Sequence, residues 1–362
     1  MYFIIGIWGG DRRVYASLKF FIYTMLGSFL MLVAIVYLGL TAASPTTGIP
    51  NFNYDVILQH ANMSGAASYW LFGAFFLAFA VKVPMFPFHT WLPDAHTEAP
   101  TAGSVVLASI MLKLGTFGFL RLAVPLFPAV ATNDTVRSIM LTLAVIGIVY
   151  GALMSLVQPD FKRLVAYSSV SHLGFVILGI FALTIQSVQG ALMVMINHGI
   201  STGALFFLVG MLYERRHTRL LEDYGGIARV VPMFGAALTL VAFSSIGLPG
   251  TNGFVGEFLV LVGTFRNYPV FAFIATTVVI ISSIYLLWAV QRVLYNRLDK
   301  PVNFHIPDLN RRELTLLVPL LAVILWLGIY PKPVLSRMQV SAEHFVQSVQ
   351  TRALHPVAEG SE

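Results

Sequence analysis

There is no cysteine anywhere in the 362 residues. That absence excludes disulfides, thiolate zinc sites and cysteine-ligated iron–sulfur clusters, so any electron transfer linked to this chain takes place in another polypeptide. Charge is nearly as scarce. Asp, Glu, Lys and Arg together make up 10% of the chain against 57% hydrophobic residues, and mean hydropathy is +0.80. A water-facing surface needs roughly 25–35% charged residues, so the solvent for most of this chain is lipid. A Gly-rich phosphate loop, a dinucleotide fingerprint and a nucleophile elbow are also missing. The net charge of +6 is scattered through short loops without a basic stripe, which argues against a nucleic-acid partner and for a topology signal.

What the sequence does contain is apolar runs. They lie at about 17–40, 68–88, 103–124, 137–157, 163–184, 187–213, 233–264, 270–291 and 313–330, about nine crossings where each span needs roughly 20 residues. The pattern predicts an all-α integral membrane bundle over residues 1–331, followed by a short extramembrane C-terminal tail, 332–362. Met1 to Trp8 read as the end of a transmembrane helix without its first half, and they lack the leading positive charge of a signal peptide. One set of alternate loops, with Arg12, Arg13, Lys162, Arg163, Arg215 and Arg216 among its members, carries about fourteen basic residues, and the other, with Arg121, Arg137 and Arg352, about six. The richer set is placed in the cytoplasm, and the C-terminus on the outer side of a bacterial inner membrane. Two basic residues, Lys82 and Lys113, fall in neither set because they lie inside spans.

Two runs carry helix breakers. Pro84 and Pro87 follow Lys82, and Pro249, Gly250 and Gly253 divide the 233–264 run. Freed carbonyls are costly in lipid, so such breaks persist only where protein or a polar cavity satisfies them. Broken helices at corresponding places in two halves, an odd number of spans apart, are the mark of an inverted-repeat transporter.

The candidate functional residues follow from burial. A Lys at mid-span costs about 2.5 to 3.5 kcal/mol on an insertion scale, which points to function at Lys82 and Lys113 rather than a side chain snorkelling to the headgroups. Glu257, just past the second break, is the carboxylate in the interior of a span; it suits a terminal proton acceptor or donor, or a cap on the half-helix that follows. His172, in Ser168-Ser169-Val170-Ser171-His172, and His198, in Asn197-His198-Gly199, add two imidazoles, a group whose unperturbed pKa lies near neutrality and which suits a proton relay, beside the alternative of satisfied core histidines. The segment from Phe86 to Pro100 gathers His89, Asp94, His96 and Glu98, but it lacks a zincin spacing and is expected to hold no metal. Its prolines predict an irregular re-entrant loop.

Ala80-Val81-Lys82, the run His89-Thr90-Trp91-Leu92-Pro93-Asp94-Ala95-His96-Thr97-Glu98-Ala99-Pro100, the Ser-rich His172 segment and Asn197-His198-Gly199 together resemble the antiporter-like membrane subunits of respiratory NADH:quinone oxidoreductase (complex I). The resemblance covers almost the whole chain. It is strongest to the M-type branch, the mitochondrial subunit-four type, where the acidic residue after the second break is a Glu, as at Glu257, and the sister types carry Lys. The resemblance implies a proton-translocating subunit of a translocase that binds no cofactor itself, with NADH, FMN, iron–sulfur clusters and quinone held by partner subunits, and with neighbouring antiporter-like subunits as partners. It also implies roles: Lys82 as the broken-helix Lys, Lys113 as the central Lys, His172 and His198 as the connecting path, and Glu257 as the terminal residue facing the next subunit. The family's acidic partner of the broken-helix Lys lies upstream of the segment that matches Met1, so the first repeat is expected to be incomplete here. A subunit of a multisubunit cation/proton antiporter or of a membrane-bound hydrogenase, and a structural membrane subunit, stand as alternatives.

Overall fold

The computed structural model describes residues 1–43, 47–60 and 65–354. Among them the regular structure is helical: α1 Tyr2–Trp8, α2 Arg13–Thr41, α3 Ala66–Lys82, α4 Trp91–Glu98, α5 Thr101–Leu126, α6 Asp134–Leu156, α7 Phe161–Phe181, α8 Ile185–Arg216, α9 Pro232–Ile246, α10 Asn252–Phe265, α11 Pro269–Tyr295, α12 Arg311–Ile329 and α13 Lys332–Leu354. Seven of these, α2, α5 to α8, α11 and α12, are long and apolar enough to cross a membrane by themselves. The two remaining spans are divided, α3 with α4 and α9 with α10. At 17 residues, α3 rises only about 25 Å, short of a hydrocarbon core about 30 Å thick, so a second piece must complete the crossing.

The hub is α7. All of its residues but Arg163 are buried, against 17% of the apolar window of α2 at the rim. An all-round apolar helix is stable only when surrounded by protein or lipid, and here small residues let the neighbours in: a Cβ on Gly151 of α6 would meet the Ser171 backbone at 2.7 Å, and one on Gly174 of α7 would meet Ile148 at 2.6 Å. Helix α10 packs on α8 in the same way, with Gly256 against the Val194 amide at 2.8 Å and Gly263 against Ser187. This is the close backbone approach that small residues allow in membranes. Ends are fixed by side chains where water is scarce. Asn133 and Asp160 cap α6 and α7, while Thr184 with Ser187 and Asn310 with Glu313 form capping boxes on α8 and α12.

The two sets of basic loops collect at opposite ends of the bundle. At one end, Arg219 pairs with Asp160 at 3.1 Å and donates to the Thr97 carbonyl, Lys162 donates to the Ala99 carbonyl, and Arg215 grips Glu313 through two bonds of 2.7 and 2.6 Å. At the other, Arg137 reaches the Tyr268 hydroxyl, the Tyr54 hydroxyl donates to the Arg121 carbonyl, and Arg352 donates to the Pro125 carbonyl.

One expectation changes. The Trp91 to Glu98 stretch is a regular helix despite its prolines, because Pro93 is its third residue, where the missing amide has no partner within the helix, and Pro87 and Pro100 fall outside. The segment after the last span is a helix, α13, laid on the bundle through Ala342, Val346 and Val349, a spacing that puts all three on one face. Residues 355–362 of the expected tail lie outside the described residues.

Candidate functional site

Helix α5 carries Lys113 between two π-helical turns, Leu107–Met111 and Phe119–Ala123. A π turn leaves a carbonyl short of its usual partner, and such turns concentrate at functional sites. Here the Lys113 ammonium uses that capacity, donating to the Ala108 carbonyl at 2.5 Å. The same Nζ lies 2.6 Å from Nδ1 of His198 on α8. Gly199 and Gly203 let the two helices approach, and the Ser109 hydroxyl donates to the Gly199 carbonyl at 2.9 Å.

From His198 the line continues inward. Its ring stands edge-on to that of His172 on α7, with centroids 5.8 Å apart, and His172 Nδ1 lies 2.7 Å from Oε1 of Glu257 on α10. A cavity of about 20 Å³ touches His172, Asn197, His198, Ser201, Ser244 and Glu257. That volume accommodates about one water. His198 Nε2 and Asn197 Oδ1 are both buried without a protein partner, which is the polar lining a water needs.

The breaks place these groups. Pro84 has no amide, so the Ala80 carbonyl takes the Met85 N–H at 2.9 Å. The Val81 carbonyl, whose own partner would have been that N–H, accepts from the Trp91 indole at 2.9 Å instead. At the second break the chain turns through Gly247, at a left-handed φ of +83°, with Leu248 N donating to Phe243 O in a Schellman-like closure. Asn252 then ties the restart to its neighbours: its carbonyl accepts from Asn197 Nδ2 at 2.5 Å, and its side-chain oxygen from the Ser244 and Ser201 hydroxyls at 2.5 and 3.1 Å. Gly253 belongs not to the break itself but to the first turn of α10, where any Cβ would collide with the Ser244 carbonyl.

Of the five residues singled out in the sequence, the structure joins four, Lys113, His198, His172 and Glu257, into one line across α5, α8, α7 and α10. Lys82 stands apart. It ends α3, half-buried and packed over Gly115, and among the described residues no carboxylate reaches it. Asn197, Ser201, Ser244 and Asn252 were not singled out; the signal available was a polar residue, Asn252, directly after a Pro-Gly break. His96 proves fully buried, stacked 4.5 Å from Phe206 with neither ring nitrogen bonded. No cluster of metal-ligating groups occurs among the described residues. Outside the spans, the Thr218 hydroxyl beside Asp223 holds that carboxyl below its ordinary value.

A polytopic bundle with two broken helices and a buried line of Lys, His and Glu defines a membrane ion-translocating subunit, the class in which interrupted helices surround a midplane path. The family described as NADH:quinone oxidoreductase/Mrp antiporter, transmembrane, matches residues 1–283, and the chain belongs to that family. It is 46% identical to NADH-quinone oxidoreductase subunit M of Rhodobacter capsulatus over 96% of this chain and 69% of that protein. A chain in the structure of respiratory complex I from Thermus thermophilus with bound NADH superposes with a TM-score of 0.88 at 33% identity, over 96% of this chain and 72% of that one. A chain of the Mrp complex from Dietzia, 19% identical over 93% of this chain and 70% of that one, with a TM-score of 0.78, shares the fold alone.

Proposed function

We propose that this chain is an M-type antiporter-like subunit that moves protons across the membrane within an NADH:quinone oxidoreductase, its work driven by electron transfer in partner subunits. The observation that carries this is the line of two hydrogen-bonded pairs, Lys113 with His198 and His172 with Glu257, whose imidazole rings stand 5.8 Å apart. Lys113 to His198 and His172 to Glu257 are each one hydrogen bond long, so a proton crosses either pair without diffusion of a carrier, and a single water closes the gap between the imidazoles. Burial gives each Lys and carboxylate a strong preference for neighbours of opposite charge. A Lys and a carboxylate about 7 Å apart interact by roughly 2.4 kcal/mol at an effective dielectric near 20, and carrying one charge against 100 mV costs about 2.3 kcal/mol. Switching one neighbouring charge is therefore sufficient for one pumping step.

Lys82 is the input end of the cycle: loss or gain of a counter-charge beside it alters the field at Lys113, on the adjoining helix. Glu257 is the output end, and the end of the bundle rich in basic loops is cytoplasmic. Partner subunits hold NADH, FMN, the iron–sulfur clusters and quinone, and this chain contributes no redox centre. The test is NADH-driven proton uptake by inverted membrane vesicles carrying Lys113→Ala, with assembly of the complex checked on a native gel. Loss of pumping together with quinone reductase activity in an assembled complex is expected. Unchanged pumping would remove Lys113 from the path and leave the chain a structural subunit.

A further inference from the structure

At the end of the bundle where the richer basic loops collect, α6 and α11 finish side by side and leave between them a surface groove of about 800 Å³. Its walls are apolar and uncovered: Val157 is 66% exposed and Ile284 51%. At its mouth the Arg292 guanidinium carbon lies over the Trp288 ring, 3.6 Å from the centroid. Stacking fixes the plane of the guanidinium and leaves its N–H edges pointing away from the ring. Among the described residues no carboxylate or carbonyl accepts from Arg292, whereas Arg215, Arg216 and Arg219 at the same end are held by Glu313, Asn303 and Asp160. The Gln291 and Gln158 amides flank the same mouth.

We infer that this groove is a binding site for an anionic glycerophospholipid, with the phosphate on Arg292 and an acyl chain along Leu287 and Ile284. Charge complementarity selects the occupant. A planar fork of free N–H donors matches a phosphodiester, and zwitterionic lipids offset that charge with their own cation. The position agrees in depth, because Trp marks the headgroup boundary and the nine residues from Ile284 to Arg292 span about 12 Å of helix, the upper part of an acyl chain. A free phosphate would gain nothing from the apolar walls, and Ile284 and Leu287 lie on the membrane-spanning α11.

The test uses the membrane assembly purified through a tag on this chain and reconstituted with trace diazirine-bearing phosphatidylglycerol or phosphatidylcholine, followed by mapping of the photo-adducts. Adducts on the peptides containing residues 156–159 and 284–292 are expected to be about five-fold more abundant with phosphatidylglycerol. Arg292→Gln should remove that excess, and Arg266→Gln, at the other end of the bundle, should leave it. Equal labelling by the two lipids, or an excess that survives Arg292→Gln, would overturn the site. So would the absence of labelling by either lipid, which means that another protein subunit fills the groove. Should Arg292→Gln fail to assemble, the headgroup contrast in the unaltered assembly still decides.

Discussion

At the first break, an aromatic side chain from beyond the interruption caps a single freed carbonyl, Trp91 on Val81, and the Lys82 ammonium is left without an anion among the described residues. At the second, three polar side chains from α8 and α9 converge on Asn252, and the carboxylate that follows is paired with His172. The same backbone defect thus supports two different electrostatic situations. A lone cation responds strongly to a charge brought near it, whereas a paired carboxylate exchanges its proton with a fixed neighbour. On the proposed function, the first break receives the signal and the second passes on a proton.

The sharpest way to break that contrast is a set of double variants. His172→Ala and Glu257→Ala are each expected to lower NADH-driven pumping by about 10²-fold, with the double variant no worse, since residues that act as one unit are grossly non-additive. Lys82→Met combined with Glu257→Ala should instead multiply the two single losses. Non-additivity between Lys82 and Glu257 would mean that the two breaks form one electrostatic unit after all. Next in size is Asn197→Leu, which removes the Asn197 amide from the Asn252 carbonyl; one lost hydrogen bond costs about 0.5–1.5 kcal/mol, so pumping is expected to fall up to about ten-fold in an assembled complex. Wild-type rates in that variant would show that the polar clamp does not set the geometry of Glu257.

Trp91→Phe tests the other cap, keeping the ring and removing the indole N–H. A lower thermal midpoint in detergent, corresponding to about 1 kcal/mol, is expected, with a smaller loss of pumping than Asn197→Leu. The reverse ranking would place the more critical support at the first break. Smallest of all is Lys300→Ala, whose 3.5 Å pair with Asp223 is more than a third exposed on both sides; solvent screening limits it to under about 0.5 kcal/mol, so both midpoint and pumping should stay unchanged.

Much of this arrangement is legible in the sequence, for reasons that can be named. Hydropathy locates the spans because lipid tolerates long apolar runs and little else. Pro84, Pro87, Pro249 and Gly250 announce the interruptions, since proline removes donors and glycine opens left-handed conformations. Lys113, His172, His198 and Glu257 stand out because each is costly where it lies. The regular helix at Trp91–Glu98 is less legible, because proline reads as a breaker until the helix start is known. The π turns flanking Lys113 leave no mark in composition, and the packed face of α13 is set by what it lies on.

The sequence by itself determined that this is a lipid-embedded helical bundle, where its helices break and which ionisable groups are buried, because each of these follows from the transfer cost of single residues between water and hydrocarbon. Tertiary structure alone decided that residues as distant in the chain as Lys113, His198, His172 and Glu257 form one line while Lys82 stays outside it. The physical reason is that adjacency across helices depends on which faces the glycines of α6, α7, α8 and α10 allow to approach, and that is a property of pairs of surfaces rather than of any one segment.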